Sequence, residues 1–104
     1  MGAPPLRLRV LLYPEAGEWI AHCLELDLVE TADSPDAAVD ALIEAVQTQV
    51  SYVEVHDNAA ALFHPAPADA WARFGTLLSG DQRPLVRRVP DPSLDVTLEV
   101  LRAA

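Results

Sequence analysis

At 104 residues, with 51% hydrophobic and 22% charged residues, the chain has the balance of one globular domain, which excludes a disordered or fibrous protein and a second module. A formal net charge of −9 disfavours attachment to nucleic-acid phosphates, and the lone Cys23 excludes an intramolecular disulfide and any CxxC zinc site. The apolar runs are too short to span a bilayer and MGAPPLRLRV has no long h-region with a cleavage site, so a cytoplasmic location without membrane contact is expected.

Met1 to Pro5 reads as a short frayed tail. Leu6, Leu8, Val10 and Leu12 then alternate with Arg7, Arg9, Leu11 and Tyr13, the pattern of a first strand with one certain core face and a second that is only partly polar. Pro14, Glu15, Ala16 and Gly17 supply a hairpin turn. In the second strand Trp19, Ala21 and Cys23 point one way and Ile20, His22 and Leu24 the other, so both faces carry apolar surface. Glu25 to Leu28 turns into a third strand, Leu28 to Ala32.

Ser34 and Pro35 end that strand and start a helix, Ser34 as N-cap and Pro35 at the first helical position, with Asp36 where the helix dipole favours an anion. Val39, Leu42, Ile43, Val46, Val50 and Val53 form its apolar stripe, while Asp36, Asp40, Glu44, Gln47, Ser51 and Glu54 take the other side. Asp57 and Asn58 break the pattern after His56, and the prolines of His64 to Pro67 delay a second helix until Ala68. Ala70, Trp71, Phe74, Leu77 and Leu78 define one face of that helix, and Gly80 closes it. Asp81 to Ser93 reads as an extended connection containing a short strand at Leu85 to Val89, and Leu94, Val96, Leu98 and Val100 alternate with Asp95, Thr97, Glu99 and Leu101 in a last strand.

Asp95 and Glu99 complement Arg7 and Arg9 across a strand pair, which places the last strand beside the first, parallel to it because helices intervene. The expected fold is α+β, β-β-β-α-α-β, with a mixed sheet in the order third, second, first, last and both helices packed on one face.

The passage GEWIAHCLELDLVETADSPDAAVDALIEAV resembles the HicB family of antitoxin-like proteins through Gly17, Trp19, Ala21, Cys23, Leu26, Asp33, Ser34, Ala37, Ala38 and Ala41. Asp27 stands where that family has a turn glycine, His22 replaces an aromatic residue, and no C-terminal helix-turn-helix or ribbon-helix-helix follows. The resemblance implies a partial RNase H-like domain that binds and blocks a small, basic, HicA-like ribonuclease toxin. It does not extend to operator binding.

The charge distribution agrees with a basic partner: no Lys or Arg occurs between Val10 and Ala72, whereas twelve acids do, and all seven basic residues are Arg near the chain ends. An acidic surface also serves solubility alone. Tyr13, Trp19 and His22 beside Glu25 and Asp27 are the candidate partner-binding residues, aromatic anchors next to acids on a sheet face opposite the long helix. The competing expectation is a homo-oligomer, dimer or tetramer, held by the same apolar surface. No catalytic residue, metal site or cofactor is expected: Leu6 to Tyr13 lacks the acid a two-metal nuclease needs, His22, His56 and His64 are scattered, and no nucleophile motif or glycine-rich phosphate loop occurs.

Overall fold

The computed structural model describes residues 5–56, 60 and 62–103. The tail before Pro5, the turn formers Asp57 and Asn58, and the side chain of Glu54 lie outside the described residues. The elements are β1 (Leu6–Glu15), β2 (Glu18–Cys23), β3 (Leu28–Ala32), α1 (Pro35–Val55), α2 (Ala68–Ser79), β4 (Leu85–Arg88) and β5 (Val96–Arg102). Five strands form one mixed sheet in the order β3-β2-β1-β5-β4. The fold is α+β, and the expected order of third, second, first and last strand is present, with β4 added as an outer strand beside the last.

β1 and β2 are antiparallel, with Glu15 directly opposite Glu18. The turn is only Ala16 and Gly17, both at positive φ (52° and 82°), which matches the twist of the strands. Pro14 and Glu15 therefore belong to the strand and not to the turn. Pro14 shares its orientation with Leu12, whose carbonyl accepts from Ala103 N–H on the β5 side. The β1–β5 ladder ends at Leu12↔Arg102, so no bond is lost to the missing proline N–H.

β5 lies beside β1, as the charge pattern predicts, and runs parallel to it, as the intervening helices require, with Arg9 opposite Glu99. The ion pairs themselves fall elsewhere: Arg9 bonds Glu25 at 2.8 Å and Arg88 bonds Asp95 at 3.2 Å. The last strand begins at Val96, two residues later than its alternation suggests, because Leu94 N–H closes a turn onto the Asp91 carbonyl. Gln82 extends the sheet beyond β4 with its side chain, accepting from Arg102 N–H at 2.5 Å and donating to the Arg102 carbonyl at 2.8 Å.

The helices do not share one face. Alternating residues of β1, β2 and β5 (Leu8, Val10, Leu12, Ala21, Cys23, Val96, Leu98 and Val100) pack under α1 with Ala38, Val39, Leu42, Val46 and Val50. The opposite face carries a separate cluster, Leu11, Leu24 and Leu101 against Phe74 of α2. The physical reason lies in Leu11 and Leu101, which are buried at 2% and 0% exposure on the second face and need a cover. Leu62 packs in the first cluster and Ala66 in the second, so the chain passes from one face to the other between them. Two bonds hold that passage: His64 N–H donates to the Glu25 carbonyl at 3.1 Å and Ala66 N–H to the Leu24 carbonyl at 2.7 Å.

Ser34 caps α1 by accepting from Ala37 N–H at 3.2 Å. Gly80 ends α2 in extended backbone, ψ −163°, and does not use the left-handed conformation available to glycine. In α2, Phe74 is buried, Trp71 and Leu77 are half-buried, and Leu78 lies off the packed face at 50% exposure.

Leu42→Ala beneath α1 is expected to cost about 2–5 kcal/mol and Phe74→Ala beneath α2 about 3 kcal/mol. Because the sheet separates the two clusters, the double variant in urea unfolding should match the sum within ~0.5 kcal/mol. A larger coupling contradicts the two-face arrangement.

Candidate functional site

The five candidate residues do not form one surface. Tyr13 and His22 lie on the α2 face of the sheet, and the register Pro14↔Trp19 puts Trp19 on the α1 face. Each of the five is engaged within the molecule. Arg73 of α2 sits 4.5 Å over the Tyr13 ring, and Arg102 of β5 sits 4.4 Å over the Trp19 ring. A third arginine, Arg9, lies 5.7 Å over Trp71. The aromatic faces that suit a partner's cations thus already carry cations of this chain.

Glu25 is a clamp at the end of the β1–β2 ladder. Its Oε1 accepts from Arg9 N–H at 2.7 Å and its Oε2 from the Arg9 guanidinium at 2.8 Å. The carboxylate takes the backbone N–H that would have bonded Leu24, leaving the Leu24 carbonyl for Ala66. The Glu25 side chain is 14% exposed and that of Arg9 48%, so the acid is shielded while the guanidinium still meets solvent.

Asp27 holds φ at 52°, the left-handed region, which explains why a glycine suits this place and why aspartate, which tolerates that region, can replace it. The aspartate also makes a contact that a glycine lacks, because His22 Nε2–H donates to Asp27 Oδ1 at 2.6 Å. His22 and Asp27 thus fix the β2–β3 turn from both ends.

A cleft of about 210 Å³ opens between the sheet and α2, lined by Leu11, Tyr13, His22, Asp69, Ala70 and Arg73. A shallower depression of about 480 Å³ lies along the end of α1, where Tyr52 stacks on His56 with ring centroids 4.0 Å apart. Among the described residues, no three His, Cys, Asp or Glu side chains come together as a metal site, and no helix is long and apolar enough to cross a membrane.

Burial pushes the Cys23 thiol up from 9.0 to about 12, against backbone donors at Leu26 and Glu25 that act the other way. Cys23 is a small core hydrophobe and not a nucleophile. At the far side of the sheet, the Ser93 hydroxyl and then its N–H hold the Asp91 carboxyl below its ordinary value, with the Gln47 amide of α1 adding to them. That set ties the β4–β5 connection to the helix.

Several acids have no cation within 4 Å among the described residues, Asp81, Asp91 and Glu99 on the β4–β5 side as well as those at the hairpin. Glu15 and Glu18 face each other at the hairpin tip, and Asp33 directly follows Ala32, the last residue of β3, which pairs with Trp19. Asp36 follows in the first turn of α1. The signal for the facing glutamates was in the sequence: a two-residue turn at Ala16-Gly17 sets its flanking glutamates opposite one another. The internal arginines carried no comparable signal, since Arg73 and Arg102 reach Tyr13 and Trp19 only through the fold. Comparison with protein-family models, curated proteins and solved structures returned no match to this chain.

Cys23 should label with a thiol reagent at pH 8 about a thousandfold more slowly than the same chain in denaturant, following the rise from 9.0 to about 12. The folded-state value exceeds the unfolded one, so the thiol's contribution to stability is complete below pH 9 and is lost as pH rises toward 12. Fast labelling in native buffer contradicts the burial. At the β2–β3 turn, Asp27→Ala should be less stable than Asp27→Gly by about 1 kcal/mol, since both lose the His22 bond and only alanine keeps the unfavourable backbone. Equal stabilities in urea unfolding contradict that assignment.

Proposed function

We propose that this chain is a non-enzymatic binding protein of antitoxin type, a HicB-like domain of partial RNase H-like architecture that neutralises a small basic ribonuclease through its acidic surface. The observation that carries this reading is the facing pair Glu15 and Glu18 at the hairpin tip, at the end of the sheet where Asp33 follows β3 and Asp36 opens α1. Like charges directly opposite in a ladder destabilise it, and a partner's Lys or Arg relieves that repulsion. The chain's own arginines are largely committed: Arg9, Arg87 and Arg88 to carboxylates, Arg73 and Arg102 to aromatic rings. The hairpin, third strand, capped helix and parallel last strand beside the first support the architectural part of the reading.

This reading moves the contact from Glu25 and Asp27, which serve the fold, to the hairpin tip. A second reading, a stand-alone homo-oligomer, draws on Tyr52 and Val55, exposed at 59% and 79% along the end of α1.

Capture from the native cytoplasm at low salt should recover a small basic protein that raised salt releases, and added chain should inhibit its ribonuclease activity. Charge reversal by Glu15→Arg with Glu18→Arg should weaken that capture about tenfold or more. Recovery of only a homo-oligomer, weakened by Tyr52→Glu, overturns neutralisation in favour of the second reading.

A further inference from the structure

Among the described residues the sheet has two unpaired edges, β3 and β4, and they are built differently. On β4, Val89 N–H donates to the Val96 carbonyl, so odd-numbered residues face β5 and even-numbered ones face outward. Val86 and Arg88 are the outward residues inside the strand. Pro84 and Pro90, which flank it, fall on the same alternation and offer no N–H. Arg87 and Arg88 add charge on the two faces, each paired to an aspartate. This edge is closed to further strands in the usual ways, by proline and charge.

On the other side, Leu24 N–H donates to the Arg9 carbonyl, so even-numbered residues of β2 face β1 and odd-numbered ones face β3. Leu28, Glu30 and Ala32 meet them. Val29 and Thr31 therefore turn their N–H and C=O groups outward, and no described loop or strand bonds them. No proline interrupts this edge, its two outward residues are β-branched, and the Val29 side chain is 48% exposed.

Resting on the neutralisation reading, we propose that β3 is the docking edge and receives an extended basic segment of the partner as an added strand. Main-chain bonds to Val29 and Thr31 give the affinity, and the acids select the occupant. Glu30 lies mid-strand, Asp33 directly follows the last strand residue Ala32, and Glu18 precedes Trp19, the partner of Ala32. A second copy brings the same acids to the edge and is repelled; a strand carrying Lys or Arg is attracted.

The test uses the whole chain and, as probe, a blocked heptapeptide of alternating lysine and valine, with its glutamate counterpart as control. Amide exchange at Val29 and Thr31 should slow about tenfold with the lysine peptide and less at raised salt, without change at Val86 and Arg88. Thr31→Pro removes an outward N–H without touching the β2–β3 ladder and should abolish the protection of Val29, while Thr31→Ala keeps it. Where Thr31→Pro does not fold, Val29→Pro removes the neighbouring donor and is read at Thr31. Protection that includes Val86 and Arg88, or that survives the proline variant, overturns the proposal. So does a concentration-dependent dimer protecting Val29 without peptide, which gives the edge to a second copy. Should the small basic protein captured from the cytoplasm bind Thr31→Pro as well as the parent chain, the edge is wrong and neutralisation stands. If no basic protein is captured while the peptide still protects the edge, neutralisation alone fails.

Discussion

The structure depends on β1 being buried on both of its faces. Leu8, Val10 and Leu12 leave water on one side and Leu11 on the other, all at 5% exposure or less. A strand in that position cannot be served by a helix on one side only, because the second face would leave Leu11 and Leu101 in water. The long helix supplies the first cover, and the chain must then cross the sheet to supply the second. Leu62, packed on the first face, and Ala66, packed on the second, mark the crossing. The segment between them is too short to wander, and its N–H groups at His64 and Ala66 find the carbonyls of Glu25 and Leu24.

The Leu24 carbonyl is available because of one carboxylate. Where the β1–β2 ladder would continue, Glu25 takes the N–H and the guanidinium of Arg9 together. A charge-assisted pair replaces a backbone pair, and the released Leu24 carbonyl anchors the crossing segment. The same residue thus ends the hairpin, neutralises an arginine in the middle of the first strand, and fixes where the second helix begins. The prolines at 65 and 67 suit this role, since an extended segment docking by alternate N–H groups at 64 and 66 needs none from the residues between and after.

Much of this was legible in the residues. Alternation placed the first three strands, and Ser34 and Pro35 placed the start of the long helix. The charges of Arg7, Arg9, Asp95 and Glu99 placed the last strand beside the first, and the intervening helices made it parallel. The helix stripe from Val39 to Val53 is the observed core side. What alternation could not supply was the consequence of its own irregularity. Val10, Leu11 and Leu12 run together, as do Val100 and Leu101, and consecutive apolar residues in a strand mean two buried faces. Both helices were nevertheless expected on one face, since each amphipathic stripe looks the same whichever side it covers. The candidate site was less legible for a related reason. Tyr13, Trp19 and Glu25 have the composition of a contact, but their cations come from Arg73, Arg102 and Arg9, two of them far away in the chain.

That internal use of arginine shapes the outside of the molecule. With sixteen acids against seven arginines, each guanidinium held by a ring or carboxylate of the fold leaves acids elsewhere uncompensated. Arg87 and Arg88 meet Asp40 and Asp95 around the β4 side, while Glu15, Glu18 and Asp36 have no cation within 4 Å among the described residues. Salt and solvent weaken repulsion between exposed carboxylates but do not remove it when two stand directly opposite in a ladder, as Glu15 and Glu18 do. A two-residue turn gives them no freedom to separate. The sheet therefore has a proline-bounded edge that carries two arginine–aspartate pairs and an open edge that carries none, and this difference follows from which strands the arginines reach.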